Sequence, residues 1–323
     1  MNRYRLPLAM ALAAVLLYFA LRGVDWRAVG QMLAGARWTY LAGTLTLAVI
    51  TSFIRALRWR ILLSAEESVP AFTVLWALMA GYLGNQALPA RAGEVLRAFL
   101  ISRKTRLSMP FVLTTALGER VTDAIALILF SAVALLTVEQ KPVWMEGVAR
   151  SLAVAATAAA LGVALLPRFH RHIEAVLEKF PLRDKLLALL AQVMLGLRAF
   201  HDARRFAAFA GLTVVIWTAD VCGAMITARA LGLAISFPVA LMFVTALGLG
   251  SALPSTPAYV GIYQYVAVTV LPPFGFTRDQ ALAYVLAVQA MIAAHVVALG
   301  VTGLFQLGEG WATLRKSASS ARE

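Results

Sequence analysis

Charged side chains are scarce in this chain: only 14% of its 323 residues are Asp, Glu, Lys or Arg, whereas 61% are hydrophobic. This balance excludes a soluble globular domain, because such a domain needs a charged surface around its core. Several apolar runs approach 20 residues, the length a helix needs to cross a bilayer. The sequence therefore predicts an all-α, polytopic membrane helix bundle of about six to eight spans, with residues 1–311 forming one integral membrane domain.

Cysteine is almost absent, since Cys222 is the only one. No intramolecular disulfide can form, and a lone cysteine offers no cluster for a metal ion. His295, inside an apolar run, has no second histidine at metal-ligand spacing. Walker sequences, nucleophile elbows and the spacing of catalytic triads are also missing. From these absences the sequence predicts no metal, no cofactor and no enzymatic activity.

Acidic residues are outnumbered, with 16 Asp and Glu against 29 Lys and Arg, which gives a net charge of +13. The basic residues cluster in loops between apolar runs, which indicates cytoplasmic loops facing anionic lipid rather than binding of nucleic acid. The clusters lie at 3–5, 55–60, 91–106, 168–205 and 315–316. This pattern predicts cytoplasmic termini, a cytoplasmic amphipathic hairpin at 168–205 and a short basic cytoplasmic tail at 312–323. The connection at 22–37 is a mild exception, because its arginines would face outward.

Two apolar segments are interrupted, one in each half of the chain. Residues 81–94 read GYLGNQALPARAGE, and residues 247–261 read LGLGSALPSTPAYVG. The predicted helix-breaking residues are Pro89, Gly93, Pro254, Pro257 and Gly261. Broken segments at corresponding places in two halves indicate a transport site at the bilayer midplane. Because the two segments start from opposite membrane faces, the sequence predicts two re-entrant segments related by an inverted repeat.

The uninterrupted runs predict the remaining helices. Spans are predicted at 6–21, 40–63, 109–138, 148–166, 206–231 and 280–307. The first broken segment is predicted at 72–88, and the helices 237–253 and 259–271 flank the second break.

The first candidate site surrounds the first break. Asn85, Arg91, Glu94 and Arg97 accompany a helix that restarts near Gly93, so helix amides and a guanidinium fork could bind a headgroup phosphate. The alternative is a cytoplasmic turn with an ordinary Glu94–Arg97 pair.

The second candidate site is the charged group Glu119, Arg120 and Asp123 inside an apolar run. Ionisable groups at such depth are costly unless they are paired or hydrated. They form either the wall of a polar cavity or a structural ion network that ties this helix to Arg55 or Arg97.

The third candidate site follows the second break. Ser255, Thr256, Tyr263 and Gln264 carry hydroxyls and amides that suit a lipid headgroup or a sugar, and the alternative is a proline-kinked turn between two spans. Single polar residues within the spans are further candidates. These are Asp220, Arg229, Gln289 and His295.

These motifs together resemble a known family. The resemblance is carried by Arg58-Trp-Arg-Ile-Leu-Leu63, Gly84-Asn85, Leu88-Pro89-Ala-Arg91-Ala-Gly93-Glu94, Arg97, Glu119-Arg120, Asp123, Leu253-Pro254, Pro257, Gly261 and Tyr263. In that order and spacing they resemble the lysylphosphatidylglycerol synthase transmembrane-region family, also called flippase-like membrane proteins. The resemblance implies a bacterial or archaeal plasma-membrane protein with re-entrant segments. It also implies that two-domain relatives join a lipid-translocating membrane part to a soluble aminoacyltransferase domain. Since the chain ends at Glu323, we expect that domain, and the synthase activity, to be absent.

The first hypothesis is a lipid translocator of a bacterial plasma membrane that moves a phospholipid, glycolipid, polyprenyl-linked or hopanoid-type lipid between leaflets. Anionic membrane lipids would be its partners. Arg91, Arg97 and Arg120 would bind phosphate, and Glu119 and Asp123 would hold the arginines. Headgroup hydroxyls would be bound by Asn85, Ser255, Thr256, Tyr263 and Gln264.

Two alternatives remain open. The first is a scaffold or accessory subunit that docks on enzymes of envelope-lipid synthesis through 168–205. The second is a membrane-embedded lipid-modifying enzyme that uses Glu119 and Asp123 as acid and base.

Overall fold

The fold is known from a computed structural model, which describes residues 5–88, 92–138, 203–251 and 257–308 together with isolated helical positions between 147 and 187. Regular structure in these residues is helical throughout. The helices are α1 (Arg5–Leu21), α2 (Trp26–Ala34), α3 (Trp38–Leu63), α4 (Ala71–Ala87), α5 (Ala92–Lys104), α6 (Met109–Thr137), α7 (Ala203–Ala230), α8 (Phe237–Gly250), α9 (Ile262–Val270) and α10 (Arg278–Gln306). Short 3₁₀ turns lie at Pro257–Tyr259 and Pro272–Phe274.

Four of the described helices, α3, α6, α7 and α10, are long and apolar enough to cross a membrane. Each has 26 to 29 residues. At 1.5 Å per residue this gives about 40 Å, more than the roughly 30 Å of hydrocarbon in a bilayer. The all-α membrane helix bundle predicted from the sequence is confirmed.

The two halves of the chain repeat one order of helices. A long helix, two short helices and a long helix occur as α3–α4–α5–α6 and again as α7–α8–α9–α10. The contacts between the halves correspond as well, since α6 packs on α8 and α10 packs on α4. The equivalent helices α3 and α7 are antiparallel, because Thr44 meets Thr227 near one end and Arg58 meets Thr213 near the other. This is the arrangement of an inverted-topology repeat.

The first short pair, α4 and α5, forms a hairpin whose two ends lie on one side of the bundle. The backbone N–H of Arg106, after α5, donates to Oε2 of Glu67, before α4, at 2.9 Å. With 17 and 13 residues, the helices measure about 26 and 20 Å, too short to cross the hydrocarbon. The pair therefore enters and leaves by the same face. Pro89, the predicted break, lies outside the described residues.

The absence of a side chain at Gly93 allows α4 and α5 to pack closely against each other. A Cβ at Gly93 would lie 2.6 Å from both the backbone nitrogen and the Oδ1 of Asn85, and it would overlap the carbonyl oxygen of Gly81. These are mostly backbone atoms, which cannot rotate away.

We expect Gly93→Ala to separate α4 from α5 and to lower stability by about 1–3 kcal/mol, the usual cost of overpacking. Gly211→Ala is the matched control, because Gly211 lies in α7 with nothing within 4 Å of its added Cβ. The control should gain up to about 1 kcal/mol from helix propensity. Thermal unfolding in detergent measures both, and equal melting temperatures would contradict the packing argument.

The second short pair, α8 and α9, is separated by an irregular segment, as predicted from its prolines and glycines. Pro254 lies outside the described residues, whereas Pro257 starts the 3₁₀ turn. Ala258 and Tyr259 have φ of 56° and 58°, and Gly261 has φ of 92°. Two successive non-glycine residues in the left-handed region are costly, so surrounding contacts must hold this segment.

The segment 22–37, predicted to be a connection, contains the helix α2. The Asp25 carboxylate caps the first turn of α2 by accepting hydrogen bonds from the N–H groups of Arg27 and Ala28 at 2.9 and 3.2 Å.

The predicted hairpin at 168–205 and the tail at 312–323 lie almost wholly outside the described residues, as does most of the predicted span at 148–166.

The apolar core is divided between the two ends of the bundle. One cluster surrounds Trp59 with residues of α3, α4 and α5, and another surrounds Phe243 and Tyr284, whose rings stack at 5.0 Å. The first cluster adjoins the charged side chains described next.

Candidate functional site

Six charged residues from three helices form a closed ring of ion pairs. Arg58 comes from α3, Glu94 and Arg97 from α5, and Glu119, Arg120 and Asp123 from α6. The N–O distances around the ring are 2.8 Å for Arg58–Glu119, 2.7 Å for Glu119–Arg97, 2.6 Å for Arg97–Glu94, 2.8 Å for Glu94–Arg120, 4.0 Å for Arg120–Asp123 and 2.6 Å for Asp123–Arg58. The positive charges of the three guanidinium groups equal the negative charges of the three carboxylates, so the ring has no net charge.

One half of the ring is buried. The side chains of Arg58, Arg97 and Glu119 are at most 1% exposed, and Glu119 accepts from Arg58 with one oxygen and from Arg97 with the other. The Arg97 guanidinium also lies 4.5 Å from the Trp59 ring centroid, and that of Arg58 lies 5.1 Å from the Phe209 centroid. Such contacts suit weakly hydrated guanidinium groups. This half holds α3, α5 and α6 together.

The other half of the ring is partly open. The Arg120 side chain is 34% exposed, against 13% for Glu94 and 11% for Asp123. Arg120 donates to one Glu94 oxygen from both Nε and Nη2, at 3.0 and 2.8 Å, and its 4.0 Å contact with Asp123 is the longest in the ring. Asn85 donates to the same Glu94 oxygen at 3.2 Å, while its own Oδ1 is buried without a partner. The open corner therefore has a reachable guanidinium, and a buried acceptor without a partner lies beside it.

For Glu119, Arg120 and Asp123 the sequence left two alternatives, the wall of a polar cavity and a structural ion network. The structure has features of both. The predicted tie to Arg97 is present through Glu119. Arg55 is not in this ring and pairs instead with Asp220 of α7. The Glu94–Arg97 pair also exists, but as one side of the ring rather than as part of an exposed turn.

The polar residues of the second break form a separate clamp. The backbone N–H of Gly261 donates to Oε1 of Gln264 at 2.8 Å, and Nε2 of Gln264 donates to Oε1 of Gln289. Nε2 of Gln289 then donates to the carbonyl of Ala258 at 3.0 Å. This chain of hydrogen bonds joins α9 and α10 to the strained turn. The Tyr263 ring stacks on that of Tyr259 at 5.0 Å, with 9° between the planes.

We expect Gln289→Leu to loosen this clamp, because it leaves the Gln264 amide and the Ala258 carbonyl without partners. Each such group costs about 1–3 kcal/mol. Gln31→Leu, on the exposed surface of α2, is the control and should change stability by less than about 0.5 kcal/mol. Thermal unfolding of both variants checks this, and equal melting temperatures would show that the clamp contributes nothing.

The predicted site residues fall into three groups. The ring brings together Glu94, Arg97, Glu119, Arg120 and Asp123, with Asn85 beside it. Tyr263 and Gln264 lie at the second break, whose 3₁₀ turn packs against α4 of the first hairpin. Arg91, Ser255 and Thr256 lie outside the described residues.

Arg58 is the ring member that sequence reasoning did not propose as a site residue. It occurs in a run with Arg55 and Arg60, which favoured the interpretation of a cytoplasmic helix end. The available signal was spacing, because Arg55 and Arg58 lie three residues apart inside an apolar helix, where arginine needs a partner. Among the described residues, no group of three or more His, Cys, Asp or Glu could hold a metal ion.

The fold and the ring define a class: a multi-pass membrane protein with an inverted repeat and an intramembrane ion network. The chain belongs to the family described as "Lysylphosphatidylglycerol synthase TM region", which matches residues 7–300. It is similar to a protein named "Glycosyltransferase AglD" from Haloferax volcanii, at 28% identity over 298 residues. It is also similar to a "UPF0104 membrane protein" from Methanothermobacter thermautotrophicus, at 25% identity over 310 residues, which cover 87% of each chain.

The glycosyltransferase comparison corrects one prediction. That alignment covers 81% of this chain and 46% of the relative, so the chain spans less than half of the relative's length. Because this relative is named as an enzyme, the prediction of a protein without enzymatic activity is contradicted. The prediction looked for catalytic residues at fixed spacing in the sequence, whereas acid and base groups can also be assembled from different helices.

Proposed function

We propose that this protein translocates lipids with an anionic, phosphate-containing headgroup between the two leaflets of the plasma membrane. The observation that carries the proposal is the open corner of the ring. Arg120 is a partly exposed guanidinium in an otherwise closed and charge-balanced network. Intramembrane charges of this kind mark substrate pathways.

A headgroup phosphate can take the place of the Glu94 carboxylate beside Arg120, so that the Arg120 guanidinium again faces an anion. Glu94 holds Arg120 through one oxygen only, whereas phosphate offers the fork geometry that guanidinium binds best. Asp123 is too far from Arg120, at 4.0 Å, to compete strongly. The displaced Glu94 keeps Arg97 as its partner. Phosphate binding would thus give Arg120 a new anionic partner, and the ring as a whole would gain negative charge at its partly exposed side.

The depth of the ring supports passage through the membrane rather than binding at its surface. Arg120 lies 11 residues after Met109, the first residue of α6, or about 16 Å along the helix axis. The midpoint of α6 is Asp123, about 4–5 Å along the axis from Arg120, so the corner belongs near the midplane when the helix is centred in the bilayer. Inverted-repeat transporters bind their substrates at this depth, beside broken helices.

The orientation of the protein in the membrane follows from the basic residues around the first hairpin, α4 and α5. Arg60, Arg103, Lys104 and Arg106 lie at the face where α4 begins and α5 ends. Positive residues favour the cytoplasmic side. We therefore place the entrance of the first hairpin at the cytoplasmic face and that of the second at the outer face.

The direct test is reconstitution into phosphatidylcholine vesicles that contain a trace of fluorescently labelled phosphatidylglycerol or, in parallel, labelled phosphatidylcholine. Dithionite added outside reduces only label in the outer leaflet. We expect the wild-type protein to make nearly all of the phosphatidylglycerol label reducible, against half in protein-free vesicles. Protein-containing vesicles that behave as protein-free ones with every anionic lipid would overturn the proposal and favour the scaffold alternative.

A glycosylated or unmodified polyprenyl phosphate is the second candidate substrate. The similarity to a protein named as a glycosyltransferase favours it, and Tyr263, at the second break, would then face the sugar. The phosphate would bind at Arg120 in either case. Labelled polyprenyl phosphate in the same vesicles separates the two candidates, since transport of only this lipid would exclude phosphatidylglycerol.

A further inference from the structure

Exposed arginines gather at the end of the bundle that lies opposite the entrance of the first hairpin. This end contains the α1–α2 turn, the start of α3, the end of α7 and the start of α10. The backbone N–H of Arg37 donates to the carbonyl oxygen of Ala230 at 2.9 Å, which joins α3 to α7. The backbone N–H of Asp25 donates to Oδ1 of Asp279 at 3.0 Å, which joins the start of α2 to α10. The arginine surface consists of the exposed residues Arg22, Arg27, Arg37 and Arg229.

Within the described part of the chain, no carboxylate forms an ion pair with the arginine surface. The two aspartates at this end are engaged with the backbone, since Asp25 caps the first turn of α2 and Asp279 accepts from the N–H of Asp25. A further arginine, Arg278, donates to the carbonyl oxygen of Phe19 at 2.6 Å and holds the end of α1. This end of the bundle therefore has an excess of positive charge, and the arginine surface can bind an external anion.

The helix α2 is amphipathic and leaves part of its apolar side uncovered. Val29 is buried in the core cluster that includes Phe243. At 3.6 residues per turn, Trp26 and Leu33 lie about 20° apart on the helix surface, next to Val29, whereas Arg27 points about 160° away from Val29. Trp26 and Leu33 are nevertheless 55% and 36% exposed. An uncovered apolar edge beneath a basic face is the pattern of a helix that lies in the interface of a membrane.

The position of the arginine surface runs against the usual distribution of charge in membrane proteins. The helix α3 runs from Trp38, at this end, to the face where the first hairpin enters, and that face carries its own basic residues. Positive residues are disfavoured on the outer side unless something offsets them. Phosphate groups of lipids provide such an offset, because guanidinium binds phosphate in a fork geometry. Trp38, which is 78% exposed, is of the residue type that is enriched at the headgroup level.

We propose that α2 lies in the headgroup layer of the leaflet opposite the entrance of the first hairpin, where the arginine surface binds the phosphates of anionic phospholipids. The occupant is the lipid surface itself, because the apolar edge of Trp26 and Leu33 lies beside the basic groups at the level of the helix ends. This surface is separate from the open corner of the ring, which contacts α3 through Arg58, near the other end of that helix. Its assignment to the outer leaflet, where a translocated lipid would arrive, rests on the proposed function; the binding of anionic lipid does not.

The test measures which lipid contacts α2 in the full-length protein in phosphatidylcholine nanodiscs. Cys222 is the only cysteine, so Cys222→Ala gives a background without reactive thiols. Gly30→Cys then places a fluorescent label on α2, where an added Cβ has no atom within 4 Å. Phosphatidylglycerol or phosphatidylcholine, spin-labelled near the headgroup and added at the same mole fraction, quenches the label on contact. We expect phosphatidylglycerol to quench at least about threefold more strongly, and this preference to shrink in about 1 M salt.

Two variants determine whether the arginine surface causes the preference. Glutamine at all four positions should make the two lipids quench equally, whereas lysine at all four keeps the charge and should keep the preference. Both variants should melt near the temperature of the parent protein, because the four side chains are exposed and unpaired. The changes are Arg22→Gln, Arg27→Gln, Arg37→Gln and Arg229→Gln in the first variant, and the corresponding lysines in the second.

Three results would overturn the inference. The first is equal quenching by both lipids in the parent protein, and the second is a preference that persists in the glutamine variant. The third is a label that neither lipid quenches, which would place α2 away from the membrane and favour a protein partner. Selective quenching by phosphatidylglycerol in a protein that moves no lipid in the vesicle assay would refute the proposed function only.

Discussion

Replacing Glu119 by alanine is expected to prevent the membrane domain from folding stably. Glu119 is buried and satisfies two buried guanidinium groups at once, those of Arg58 and Arg97. Removing one partner from a buried ion network leaves an uncompensated charge, which costs about 3–5 kcal/mol. The helices α3 and α5 would lose the carboxylate of α6 that both of their buried arginines contact.

Thermal unfolding in detergent measures this loss. Tryptophan fluorescence is a suitable signal, because Trp59 lies beside the ring. A loss of 3–5 kcal/mol in a chain of this size lowers the melting temperature by about 4–7 °C. We also expect much less monodisperse protein in the membrane fraction.

A charge-balanced double variant is the control for Glu119→Ala. Arg58→Met combined with Glu119→Leu removes one cation and one carboxylate and fills the space with apolar atoms. Arg97, Glu94, Arg120 and Asp123 then remain as a balanced set, and stability should recover by several kcal/mol, as in other replaced buried ion pairs. A single variant as stable as the wild type, or a double variant worse than the single one, would contradict a structural role for the buried half.

Arg120→Ala is expected to do the opposite: to leave the fold nearly intact and to reduce transport of labelled phosphatidylglycerol at least tenfold. Arg120 is one-third exposed and contacts only the outer side of the ring, so its removal should cost about 1 kcal/mol or less. The loss of transport follows from the loss of the phosphate-binding guanidinium. The vesicle assay and thermal unfolding are measured on the same preparation.

Arg103→Ala is the matched control for Arg120→Ala. Arg103 lies near the end of α5, where its guanidinium is 5.6 Å from the Phe99 ring centroid, away from the ring. It should transport at the wild-type rate. If both arginine variants lose transport equally, the effect is one of general surface charge, and the open corner has no special role.

The overall fold was largely predictable, because the properties that determine it are local. Hydrophobic length predicts the spans, and proline and glycine predict the interruptions at 89–93 and 254–261. The order of helices in the two halves then follows from the sequence. The helix α2 was missed, since its nine residues are too few to give a clear apolar run.

The site was only partly predictable, because it depends on contacts between helices far apart in sequence. The spacing of Glu119 and Asp123 indicates a shared helix face, but not that Arg58 lies opposite, about 60 residues away in the chain. Helix–helix packing decides this, through close contacts such as that of Gly93 with Asn85. For the same reason sequence reasoning did not join Arg55 to Asp220.

The central claim, that the open corner of the ring binds a lipid phosphate, is tested most directly by lipid binding. Native mass spectrometry of the detergent-solubilised protein, titrated with phosphatidylglycerol, would compare the wild type with Glu94→Gln and Arg120→Ala. Because Glu94 competes with phosphate for Arg120, we predict that Glu94→Gln binds more tightly than the wild type and that Arg120→Ala binds more weakly. Equal affinities in all three proteins would contradict the account.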